Sequence, residues 1–384
     1  MEDFIKFLEF YPNYEEAIFM YIRENHPFYD KNCDYENNKN AIPYSYLSNE
    51  NYNEDILYKL IDIKNFCEKT RKLDLDLKFG YEKYTIASLI AMYQTDNQKI
   101  IYDLLKEFRH SNLDLKVGKK DDVTLALLIV MYQTKNPEIT FEMLKEFRHS
   151  DLNYQSENYG TLAELIVKCQ TKDPKITFEM LKEFRHSNLN LGVGFRKSQP
   201  LSALIAEYQT KDPEVTFEML KEFRHSDLDL VFIDVFHNEN TLATVIAMNQ
   251  TKDPEVTFKM LKEFRHSNLD LLLDSGFDEV DYNTLASLIV KYQTENPEVT
   301  FEMLKEFRHS DLNMPIGIYN NTLAMHIVIY QTENPEVTFE MLKEFRHSHS
   351  QDINLNNTLI EYINIYQTKN QEIMIKMIRE FNKL

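Results

Sequence analysis

The segment TLASLIVKYQTENPEVTFEMLKEFRHSDLN, from Thr284 to Asn313, recurs with small changes along most of this chain. Anchored on the Phe of the Glu-Phe step, the copies fall at Phe108, Phe147, Phe184, Phe223, Phe264, Phe307, Phe345 and Phe381. Their spacings are 39, 37, 39, 41, 43, 38 and 36 residues. A unit this short cannot bury its apolar face alone, so successive copies must stack. The expectation is an all-α, elongated α-solenoid of about ten helix-turn-helix repeats, with short extended or hairpin-like connectors. Residues 1–80 read as degenerate N-terminal capping repeats. Residues 81–384 read as eight clear repeats, continuous with them as one solenoid.

Each copy divides into two helices. In the first, Leu285, Leu288, Ile289 and Tyr292 recur at i, i+3, i+4 and i+7, an apolar helical face. Thr284 is placed to cap it, as are Thr124, Thr161, Thr241, Thr322 and Thr358 in their copies. The second helix opens at Asn296-Pro297-Glu298, where Asn caps, Pro suits the first position and Glu meets the positive helix end. Its Val299, Phe301, Met303, Leu304 and Phe307 cover a wide arc, which predicts an inner helix sandwiched between neighbours. Glu298, Glu302, Lys305 and Glu306 fill the rest, and stacking should line them up as one acidic ridge. Arg308 and His309 close the helix at its negative end. Asp311-Leu312-Asn313 then leads out, by an extended stretch, into the part that varies most between copies.

Composition excludes several classes. There are 43 basic and 62 acidic side chains, a net charge of −19, which disfavours a nucleic-acid surface built on clustered Lys and Arg. With 7 Gly and no Trp, a turn-rich β protein is disfavoured too. No apolar run approaches the ~20 residues needed to span a bilayer, and the start MEDFIKFLEF lacks the basic region of a secretory signal. Cys33, Cys67 and Cys169 are odd in number and widely spaced, which argues against disulfides or a zinc finger and fits an intracellular, cytoplasmic setting.

The connector and first helix resemble a divergent ankyrin repeat. Asp151-Leu152-Asn153 followed by Asn158-Tyr159-Gly160-Thr161-Leu162-Ala163 is similar to the ankyrin run of Asp-Val-Asn, a turn and Gly-Thr-Pro-Leu-His. The likeness covers roughly residues 70 to 384. It departs in its longer period, its missing Pro, and His-Ser in place of the helix-ending Gly. Asp253-Pro254-Glu255-Val256 resembles the Asp-Pro-x-Val turn of HEAT repeats, a competing likeness that leads to the same α-solenoid. The bias to Asn, Lys, Ile and Tyr fits an AT-rich genome of the giant-virus or protist type. The resemblance implies a scaffold that binds another protein, in host cytoplasm if viral. Its alternatives are a ubiquitin-ligase substrate adaptor or host-directed viral effector, with nucleic-acid binding third.

No nucleotide-binding, hydrolase or metalloprotease signature is present, so the expectation is no catalytic residue, cofactor or metal. The row His110, His149, His186, His225, His266, His309 and His347 offers one His per copy, too dispersed for one metal ion. It reads mainly as helix-end capping, with an anion row as the weaker alternative. The Gln of each Gln-Thr pair is placed to bond backbone groups at the first helix's end or in the next copy. Large apolar residues in the nonrepeated connectors are the candidate partner-binding set: Phe195, Phe232, Phe236, Phe277, Ile318 and Tyr319. Such side chains either anchor an interface or fold back onto their own helices.

Overall fold

The computed structural model describes residues 76, 78, 83–92, 97–118, 120–185, 199–234, 237–274, 282–312, 314–316, 321–345 and 353–381. Nearly all of the segment expected to form N-terminal caps lies outside these residues. The described residues form sixteen helices and six two-residue strands, divided between two compact units, Met1–Asn188 and Leu189–Leu384.

The first unit holds α1 (Ile86–Met92), α2 (Gln98–Phe108), α3 (Leu125–Tyr132), α4 (Pro137–Phe147), the hairpin β1 (Gln155–Ser156) and β2 (Gly160–Thr161), α5 (Leu162–Cys169) and α6 (Pro174–Phe184). The second opens with α7 (Leu201–Tyr208) and α8 (Pro213–Glu222). The hairpin β3 (Phe232–Ile233) and β4 (Glu239–Asn240) leads to α9 (Leu242–Asn249) and α10 (Pro254–Glu263). A further hairpin, β5 (Leu273–Asp274) and β6 (Tyr282–Asn283), leads to α11 (Leu285–Tyr292) and α12 (Pro297–Phe307). Then come α13 (Leu323–Tyr330), α14 (Pro335–Glu344), α15 (Ile353–Tyr366) and α16 (Gln371–Phe381). Within each unit, first helices pack on first helices of the adjoining copy, and second helices on second helices.

Local chemistry sets the helix starts. The Oγ1 of Thr124, Thr161, Thr241, Thr284 and Thr322 accepts from the backbone N–H three residues on, at 3.2 to 3.4 Å. Asn136, Asp173, Asp212, Asp253, Asn296 and Asn334 cap the second helices, each with Pro next. Thr358 is a correction: it lies inside α15, which starts at Ile353. The preceding Asn-Leu-Asn-Asn carries neither Gly nor Pro to stop a helix from running through. The Asp-Leu-Asn stretch also differs from expectation, since it turns. Asp151 accepts from Tyr154 N–H with its carbonyl (3.1 Å) and from Asn153 N–H with its carboxylate (2.9 Å). Asn112 and Asn268 repeat this, because a short polar side chain reaches its own backbone two residues on.

Burial reverses the expected order of the helices. In α11, Leu285, Ala286, Ser287, Leu288, Ile289 and Val290 are all buried. In α12 only Pro297, Thr300, Met303, Leu304 and Phe307 are, while Val299 and Phe301 are half-buried. The first helices are therefore the sandwiched ones. Their Ala and Ser carry little bulk, so neighbours approach from several sides, and a helix apolar nearly all round belongs inside. The second helices still lock together. Phe141, Phe217, Phe258 and Phe301 stand edge-on to Phe184, Phe264, Phe307 and Phe345 of the following copy, centroids 6.1 Å apart. Such pairs add about 0.5–1.5 kcal/mol beyond burial.

Candidate functional site

The repeated polar residues face the adjoining copies. Gln250, Gln293, Gln331 and Gln367 are 1% exposed, and each Nε2 donates to a carbonyl of the preceding first helix: Ala206, Ala247, Val290 and Val328, at 2.7 to 2.8 Å. These carbonyls are near a helix end and lack an intrahelical donor. In α4, α6, α8, α10, α12 and α14 a Thr donates back to the carbonyl of its own copy's Gln, as Thr300 does to Gln293 (2.5 Å) and Thr338 to Gln331 (2.6 Å). In α2, Gln98 stands where α4, α6, α8, α10, α12 and α14 have Pro, and its Nε2 donates to Gln133 Oε1 at 3.3 Å. Pro offers no such donor, so the amide oxygens of Gln250, Gln293, Gln331 and Gln367 meet no protein partner among the described residues.

Arg-His-Ser is a clasp that reaches both ways. Forward, the guanidinium of Arg109, Arg148, Arg224, Arg265 and Arg308 meets Glu146, Glu183, Glu263, Glu306 and Glu344 of the following copy, at 2.8 to 3.2 Å. Backward, Ser111, Ser150, Ser267 and Ser310 donate their N–H and Oγ–H to Asp76, Asp114, Asp229 and Asp270 of the preceding copy. Those hydrogen bonds hold the carboxyls of Asp114, Asp229 and Asp270 below the usual carboxylate value.

The His lies beneath the clasp. His110, His149, His266 and His309 are buried, and burial pushes the imidazoles of His266 and His309 below their ordinary value. His149 Nδ1 accepts from Asp151 N–H (2.9 Å) and His225 Nδ1 from Asp227 N–H (3.0 Å), so the ring also pins the turn that follows it. Clefts of about 610 and 620 Å³ open at two of these clasps. Their Arg265, Arg308, Ser267 and Ser310 are already engaged with Glu306, Glu344, Asp229 and Asp270. Among the described residues no group of three His, Cys, Asp or Glu is placed to hold a metal ion.

The second helices do not present a bare acidic ridge. Glu142, Glu179, Glu218, Glu302 and Glu340 pair with the Lys three residues on, and Glu146, Glu183, Glu306 and Glu344 of these helices take the Arg of the preceding copy. These partners are about half exposed, so each ion pair contributes ~0–1 kcal/mol. The strip is a lattice of paired charges.

The connectors differ from copy to copy. In the first unit, β1–β2 is held by polar contacts: Asp122 accepts from Ser156 Oγ (3.1 Å) and Asn158 Nδ2, and its carbonyl accepts from Tyr154 Oη (2.8 Å). Gly160 has φ +84°, and an added Cβ would lie 1.8 Å from Glu164 Oε2, so this turn requires glycine. In the second unit the hairpins are apolar inside. Phe232 is only 3% exposed and Leu273 2%, so the Phe232 ring fills the core instead of standing out as an anchor. Of the other candidates, Phe195, Phe236, Phe277, Ile318 and Tyr319 lie outside the described residues.

The outward residues were missed. Val231, Ile233 and Tyr282 are 39%, 42% and 40% exposed. Alternation along Val231-Phe232-Ile233 already separates Phe232 from its neighbours, and strand pairing decides which side is inward. No helix among the described residues is long and apolar enough to cross a membrane. No protein-family model matches the chain, and a search of curated proteins finds no relative.

Proposed function

We propose that the chain is a non-enzymatic interaction scaffold: an elongated, ankyrin-like α-solenoid that presents its variable connectors to a protein partner. One observation carries this reading. The Gln, Thr, Arg and Ser that recur along the central copies are spent on their neighbours, which leaves the connectors as the part that differs. A partner that must find one place on a periodic surface reads what is not periodic. The helix-end carbonyls, carboxylates and guanidinium groups are satisfied within the scaffold, which supports a structural role for the repeated residues.

The experiment is affinity capture of the chain from its native cells with cross-linking and mass spectrometry. A protein cross-linked to connector residues supports the reading. Cross-links confined to the second helices, or recovery of nucleic acid alone, contradict it. Small-angle scattering tests the shape: an extended particle near 100 Å long agrees, at ~10 Å per helix pair, and a compact sphere does not.

A further inference from the structure

We draw no further inference here: the strongest candidate, the exposed apolar surface that Val231, Ile233 and Tyr282 give the hairpin connectors of the second unit, is an unpartnered face, and nothing in the structure shows what covers it.

Discussion

The hairpin β1–β2 and the pair β3–β4 with β5–β6 occupy the same place in their copies but are built on opposite chemistry. The first closes over a hydrogen-bonded Asp122, Ser156, Asn158 and Tyr154, with Gly160 making its turn. The others set Phe232 and Leu273 into the interior and leave Ile233 and Tyr282 facing out. The helices flanking these connectors barely differ: Asp173 and Asp253 cap the second helices, and Gln170 and Gln293 bond the preceding copy alike. The frame is thus insensitive to what the connector contains. A repeat whose stacking residues are confined to its helices frees its connectors to diverge.

The comparison breaks if the frame is not the stable part. Leu304 is fully buried, and Leu304→Ala should cost about 2–5 kcal/mol in chemical denaturation. Glu302→Ala, on the exposed side of the same helix, should cost less than ~0.5 kcal/mol. Equal losses would place the faces of α12 wrongly.

Gln293→Leu should cost about 1–3 kcal/mol, because the carbonyls of Ala247 and Gln250 lose a buried donor. A neutral result would mean that the amide row is a product of duplication with no energetic role.

Acid should loosen the clasps in two stages of smaller size. His266 and His309 have depressed folded values, so their contribution is complete above the unfolded value near 6.5 and declines as pH falls toward the depressed one. Asp114, Asp229 and Asp270 are also depressed. Their share is present above about 4 and lost as pH falls further. Replacing both His by Leu should flatten the upper limb of the stability–pH curve and leave the lower one. An unchanged upper limb would contradict the buried, neutral imidazoles.

The smallest effect on stability belongs to the exposed apolar residues of the hairpins. Ile233→Ser with Tyr282→Ser should change the melting temperature by no more than a degree or two, because exposed substitutions rarely matter to folding. Phe232→Ser, one residue away, should lower it clearly.

These contrasts mark what was legible in the sequence. Caps such as Thr284 and Asn296-Pro297 act within a few residues, so they could be read directly. The partners of Gln293, Arg308 and Ser310 sit in adjoining copies, some forty residues away, and depend on how helices stack. Sequence spacing brings the copies together without naming which atoms meet. Thr358 was misread because likeness to the other copies was given more weight than the absence of any Gly or Pro in the run before it. Phe232 was left open between anchor and core, because its facing is set by a strand pairing the sequence does not state.

The central claim is that connectors bind and helices hold. It is tested most directly by replacing Val231, Ile233 and Tyr282, the exposed apolar residues of the hairpin connectors, with Ser, then measuring partner capture and thermal stability on the same sample. The account predicts that capture falls at least about tenfold while the melt is unchanged. Undiminished capture, or capture lost only together with the fold, would contradict it.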